Sequence, residues 1–81
     1  MYYLYIIRCA DDTLYTGIAK DLTQRIEEHN TSPKGAKYTR TRRPVTLVYS
    51  EEYGDRSTAS KREYVVKKMT RLQKLALVTH S

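Results

Sequence analysis

The stretch Leu4 to Gly17, LYIIRCADDTLYTG, constrains the fold of this chain more than any other segment. Two short runs of apolar and β-branched residues flank a polar break at Asp11-Asp12. That is the pattern of a β-hairpin. Tyr2 to Cys9 supplies the first strand and Leu14 to Ala19 the second. The first strand is apolar on both faces, so the pattern predicts that both are covered. Side chains alternate faces along a strand, so Tyr5 and Tyr15 share a face only if the connecting loop has an odd number of residues. A three-residue loop at Asp11-Asp12-Thr13 is expected, with an Asp in the left-handed conformation that this residue tolerates. Gly17 then falls on the face of Tyr15 and leaves a gap where a ligand backbone approaches the phenols.

Helical signals follow. Asp21 caps a helix that runs to about Asn30, and Gln24 completes a capping-box pattern. Leu22 and Ile26 mark its buried stripe. Arg25 and His29, four apart, share a face next to that stripe. Each has an ordinary alternative: Arg25 pairs with a nearby Glu, and His29 favourably ends a helix. Thr31 to Arg43 reads as a loop or short irregular helix, broken by Pro33 and Gly35 and ended by Pro44. Val45 to Tyr53 is the third strand. A second long helix starts at Asp55 or Ser57 and reaches about Met69, with Ala59, Arg62, Val66 and Met69 on one face. A second capping box, Thr70 to Gln73, opens a last helix through about Val78, with Leu72, Leu75 and Ala76 turned inward. His80 and Ser81 are expected to fray.

Charge points to a class of partner. Fifteen Lys and Arg against nine Asp and Glu give a formal net charge of +6. Such a balance favours polyanions. The densest patch holds Lys34, Lys37, Arg40, Arg42 and Arg43, with no acid between Thr31 and Ser50. Tyr38 and several threonines are interleaved, a mixture suited to phosphate contacts with one stacking aromatic. Glu63, in contrast, is the only acid after Asp55 and stands among Lys61, Arg62, Lys67 and Lys68. It makes either a surface ion pair or a foothold for a divalent cation at the edge of a phosphate site.

Other functions are excluded by what the chain lacks. One cysteine, Cys9, rules out an internal disulfide and fits a buried thiol in a reducing compartment. His29 and His80 are too isolated to suggest zinc. The start MYYLYIIRCA has no signal-peptide pattern, and no apolar run approaches the ~20 residues of a membrane span. The expectation is one soluble cytoplasmic domain over residues 1–81, with a small core. Eight tyrosines supply all its aromatic mass.

Taken in order, Tyr5, Tyr15, Gly17, Arg25, His29 and Glu63 form a series that resembles the GIY-YIG nuclease superfamily, and within it the small single-domain members of the UPF0213 type. Leu4-Tyr5-Ile6 stands where the family has Gly-Ile-Tyr, and Tyr15-Thr16-Gly17 is close to Tyr-Ile-Gly. Arg25 and His29 follow on the first helix, and Glu63 falls where the family places a metal-binding glutamate. The stretch KGAKYTRTRRPVTLVYSE is typical of the small members. The resemblance implies an α+β fold, a three-stranded antiparallel sheet flanked by helices in the order β-β-α-β-α-α.

It also implies phosphodiester hydrolysis with one divalent metal. Mg²⁺ or Mn²⁺ on Glu63 would polarise a phosphoryl oxygen, and one carboxylate suffices for an ion that keeps its waters. Arg25 would brace the phosphoryl oxygens. One phenol would take the proton of the attacking water, directly or through His29, while the other positions it, with Tyr5 the first choice. Gly17, Lys34, Lys37, Tyr38, Arg40, Arg42 and Arg43 would contact the nucleic acid, DNA in the first place, with RNA left open. Family enzymes often add a late Asn; only Gln73 or Lys74 stands near that position. Enzymes with known targets carry extra domains that find DNA. Without them the chain would cut with little sequence preference, read DNA shape, or take its specificity from a partner protein. It is expected as a monomer or weak dimer. The rival expectation is a nucleic-acid-binding module with the same fold and little turnover.

Overall fold

The computed structural model describes residues 1–32 and 37–79. Its elements are β1 (Tyr2–Arg8), β2 (Leu14–Ala19), α1 (Leu22–Thr31), α2 (Lys37–Arg40), β3 (Thr46–Tyr53), α3 (Arg56–Lys67) and α4 (Arg71–Thr79). The three strands form an antiparallel sheet in the order β2-β1-β3. The expected α+β order is therefore present, with the short α2 added between α1 and β3. Lys34, Pro33, Gly35, His80 and Ser81 lie outside the described residues.

β1 is central, and its apolar residues are covered on both sides. Leu4, Tyr5, Ile6 and Ile7 are all buried. Tyr5, Ile7 and Cys9 pack with Val45 under Leu22 and Ile26 of α1. Leu4 and Ile6 pack on the other face with Val66 of α3 and with Met69, Leu77 and Val78. The sheet is thus the middle layer, with α1 on one side and α3 and α4 on the other.

The hairpin register decides which residues meet. Tyr5 pairs with Gly17 and Ile7 with Tyr15. Directly paired residues point to the same face, so Tyr5, Tyr15 and Gly17 share the α1 side. The tight loop has three residues, as parity required, but sits one position earlier than expected. Cys9 N donates to Thr13 O at 2.9 Å, and Asp12 N to Cys9 O at 2.9 Å, enclosing Ala10-Asp11-Asp12. Asp12 takes the left-handed turn position, with φ of 66°. Asp11 accepts from the backbone and hydroxyl of Thr13, directly before β2 begins at Leu14.

The helices begin where their caps place them. Asp21 accepts from Gln24 N at 3.0 Å, and Asp55 from Thr58 N at 2.7 Å. At α4 the box is reciprocal: Gln73 N donates to Thr70 Oγ1, and Thr70 N to Gln73 Oε1. α1 ends at Thr31, within one residue of the expected end at about Asn30. The Asn30 side-chain amide accepts from Val45 N at 2.7 Å and donates to Val45 O at 3.1 Å, fixing the chain just before β3. One expectation needs correction: Leu72 and Ala76 are not turned inward but exposed, Leu72 to 78%. α4 packs through Leu77 and Val78 because its contact with the sheet lies toward its C-terminal end. A bulge between the Ile6–Tyr49 and Ile7–Leu47 pairs leaves Val48 over. Val48 and Tyr49 therefore both join the cluster under α3 and α4.

Candidate active site

Four elements converge on one imidazole. His29, in the last turn of α1, is fully buried. Its Nε2 lies 2.8 Å from the Tyr5 hydroxyl of β1, and its Nδ1 lies 2.9 Å from Thr39 Oγ1 of α2. The Tyr15 ring of β2 meets it edge-on, with centroids 5.5 Å apart. Burial is the main reason why the His29 pKa falls from 6.5 to about 4, and the charges of Arg25 and Arg43 push it the same way against Glu28. The ring is neutral at physiological pH, so one nitrogen donates and the other accepts.

Tyr5 is buried to the same degree. Burial raises its pKa, and a hydrogen bond and the charge of Arg25 only partly offset that; Tyr15 and Glu63 add to the rise. Such a phenol holds its proton and receives no solvent directly. The first expectation, that Tyr5 itself takes the proton of a water, is therefore revised. Tyr15 is only half-buried. The role of Gly17 is revised as well. A Cβ built there would lie 2.5 Å from the Tyr5 oxygen, so the gap beside Gly17 is filled by the Tyr5 phenol and not left for a ligand.

Arg25, on the same helix as His29, ion-pairs with Glu28 at 3.0 Å, and its cationic guanidinium works against the rise in the Tyr5 pKa. It borders a hollow of ≈ 220 Å³ between β2 and α1, together with Lys20, Gln24 and Glu28. A groove of ≈ 540 Å³ lies elsewhere, along Leu22, Ile26, Asn30 and Leu47, and contains none of these groups.

Glu63 comes from α3, on the opposite side of the sheet. β2 is an edge strand, so a side chain of α3 reaches round it. Lys67 does so: its Nζ stands 6.0 Å from the centroid of the Tyr15 ring and 3.4 Å from Glu63 Oε2. The charge of Glu63 is felt at the Tyr5 phenol. The structure thus brings Tyr5, Tyr15, Arg25 and His29 together, with Glu63 joined through Lys67. No group of three or more His, Cys, Asp or Glu that could hold a metal occurs among the described residues. The donor set is one carboxylate with phenols nearby. It fits a hard cation that keeps most of its waters, and it does not fit a dehydrated or zinc-like ion.

The basic patch divides. Lys37 and Arg40 are exposed on α2. Arg43 is not a free cation: its Nε donates to His29 O at 2.6 Å and its Nη2 to Ser32 O at 2.7 Å, tying down the end of α1. Arg42 lies over the Tyr38 ring at 4.1 Å and donates to Tyr38 O. Its Nε is 3.0 Å from Asp11 Oδ2, an ion-pair contact whose alignment falls short of a hydrogen bond. Tyr38 stacks on Tyr15, with centroids 5.7 Å apart. The expected stacking aromatic is thus already engaged by Tyr15 and Arg42, although Tyr38 remains exposed. Thr39 is the site residue that sequence reasoning missed. Its one signal is its place in a run of threonines between cations.

The sequence matches the family model described as the GIY-YIG catalytic domain over residues 1–76. This chain belongs to the GIY-YIG family. Its domain is of the nuclease type, and its relatives place it in the UPF0213 group. It is 56% identical to a UPF0213 protein of Desulfotalea psychrophila, over 99% of this chain and 73% of that one. It is 53% identical to a UPF0213 protein of Staphylococcus aureus, over 95% and 93%. The solution structure of a UPF0213 protein from Bacillus halodurans superposes with a TM-score of 0.64 at 41% identity, over 100% of this chain and 86% of that one. A second solution structure, of a protein from E. faecalis, gives a TM-score of 0.61 at 43% identity, over 90% and 77%. Among the described residues of this GIY-YIG domain, no helix is long and apolar enough to cross a membrane.

Proposed function

We propose that this GIY-YIG protein is a divalent-metal-dependent nuclease that hydrolyses phosphodiester bonds in DNA, with Tyr5, Tyr15, Arg25, His29 and Glu63 as its machinery. The observation that carries the reading is the convergence of a guanidinium, two phenols and a neutral imidazole beside an edge strand, with the carboxylate of a second helix linked to it through Lys67. Phosphodiester cleavage needs these groups. Arg25 stabilises the negative charge that develops on the phosphoryl oxygens. Tyr15, the more accessible phenol, orients the attacking water and, in its phenolate form, takes its proton as the water oxygen bonds to phosphorus; the P–O bond to the leaving oxygen breaks, and that oxygen takes a proton from solvent. Tyr5 orients Arg25 and connects it to His29. Glu63 would hold Mg²⁺ or Mn²⁺, which supplies Lewis-acid polarisation of a phosphoryl oxygen.

Lys37 and Arg40 supply backbone contacts, which are independent of sequence and weaken with salt. The protein works as a cytoplasmic monomer or weak dimer; it cuts with little sequence preference, reads DNA shape, or takes its target choice from a partner protein. RNA is the alternative substrate.

A second reading, binding without turnover, draws on the Glu63–Lys67 ion pair, which occupies the carboxylate a metal would need. One assay separates the two. Purified protein is incubated with plasmid, and with single-stranded DNA and RNA, in Mg²⁺ or Mn²⁺. Cleavage that chelator suppresses and that Glu63→Ala abolishes supports the nuclease. Salt-sensitive retention of DNA with no cleavage in any metal supports the binding module.

A further inference from the structure

Thr39 has no role in the reading above, yet it is fully buried on a helix whose other three residues are exposed. Its hydroxyl meets the face of His29 that points away from Tyr5. Which nitrogen of His29 carries the proton follows from the donors around Tyr5. A guanidinium has no acceptor, and the positive charge of Arg25 acts on the Tyr5 phenol, so it favours the oxygen lone pairs on its side and repels the hydrogen. The single phenolic hydrogen must then go elsewhere, and Nε2 of His29 stands 2.8 Å away. Nε2 is therefore the acceptor. In a neutral imidazole the hydrogen is then on Nδ1, which donates to Thr39 Oγ1 at 2.9 Å.

We infer that Thr39 is a positioning residue that holds His29 in the Nδ1–H tautomer, and so keeps Nε2 open to the Tyr5 proton. The chain of donors runs from Tyr5 to His29 to Thr39, with the charge of Arg25 acting on its Tyr5 end. Without an oxygen at position 39, the buried Nδ1–H would lose the acceptor that Thr39 Oγ1 gives it. The imidazole would relieve this by moving its hydrogen to Nε2, where it would oppose the Tyr5 hydroxyl. The groups that face His29 and set its proton affinity are Arg25 and Glu28 on α1, Tyr5 on β1, Tyr15 on β2, Thr39 on α2, and Arg43 beyond it.

The catalytic part of this inference rests on the nuclease reading, but the tautomer does not. The test is long-range ¹H–¹⁵N correlation of the histidine ring at neutral pH, with His29→Gln used to assign the signals. The wild-type protein is expected to show Nδ1 protonated and Nε2 bare at His29. Thr39→Ser keeps that pattern, and Thr39→Val moves hydrogen to Nε2. In the same samples Thr39→Val lowers kcat about tenfold or more, leaves DNA affinity unchanged and shifts the acid limb of the rate profile; Thr39→Ser stays within about twofold. An Nε2–H tautomer in the wild type overturns the inference, and so does a Thr39→Val protein with unchanged tautomer and rate. If Thr39→Val does not fold, the wild-type and Thr39→Ser spectra still decide. If the wild type cuts nothing, the nuclease reading fails while the ring spectra still judge the role of Thr39.

Discussion

The hydroxyl of Tyr5 occupies the space that a side chain on Gly17 would fill, at 2.5 Å from the position of its missing Cβ. The two residues are cross-strand partners, so the phenol packs directly on the backbone of Gly17. Gly17 has no positive φ, so its requirement is space and not backbone freedom. Gly17→Ala is expected to cost about 1–3 kcal/mol by overpacking and to displace Tyr5 from His29. Denaturant melts of Gly17→Ala, Tyr5→Leu and the double variant check this. The alanine should cost less in the Tyr5→Leu background, and strict additivity would contradict the clash.

Stability should depend on pH through His29. Its folded pKa, about 4, lies below its ordinary value of 6.5. Between those values the unfolded chain binds more protons than the folded one. Stability is therefore full above about pH 6.5 and falls on acidification, with this contribution lost below about pH 4. The loss amounts to about 3 kcal/mol at most. Glu51 acts in a lower window. Burial alone would raise its pKa, but hydrogen bonds from Arg62, Tyr49 and Tyr53 hold it below the usual value, so its contribution goes only as pH falls below the normal glutamate range. Urea melts from pH 7 to 4 should show a slope that His29→Gln removes.

Two arginine-patch variants should separate support from binding. Arg43→Ala removes the donor to His29 O and Ser32 O, and should cost about 1–3 kcal/mol of stability. Lys37→Ala should leave the melt within about 0.5 kcal/mol, while the slope of log affinity against log salt becomes shallower by about one unit. Melting curves and salt-titrated DNA binding on both variants give the answer.

The phenols should differ in kind. Tyr15→Phe should abolish cleavage and leave the His29 ring signals in place, since Tyr15 meets His29 only through ring edges. Tyr5→Phe should lower cleavage and also shift those signals, because it removes the hydrogen bond to Nε2. Cleavage rates and ring spectra of the two variants check both halves.

What was legible in the sequence was local or periodic. Capping at Asp21, Asp55 and Thr70 spans three residues, and the geometry follows from that spacing. The shared face of Tyr5 and Tyr15 followed from counting parity. What was not legible depends on which distant segments touch. The fit of Gly17 to Tyr5 needs the register, and the parity argument fixed the face but not the filling of the gap. Thr39 meets His29 only because α2 folds back on α1. Arg43 reads as one more cation, but the backbone carbonyls of α1 claim it. Leu72 was misplaced because α4 carries apolar residues around much of its circumference, so its sequence alone does not select the packed side.

Arg25 tests the account most directly, because it joins the phosphate-facing charge to the Tyr5–His29 pair. Single-turnover cleavage and DNA affinity should be measured on the same samples of wild type and Arg25→Ala in Mg²⁺. The account predicts cleavage lowered about 100-fold or more with affinity changed less than about threefold. Equal cleavage rates in the two proteins would contradict it.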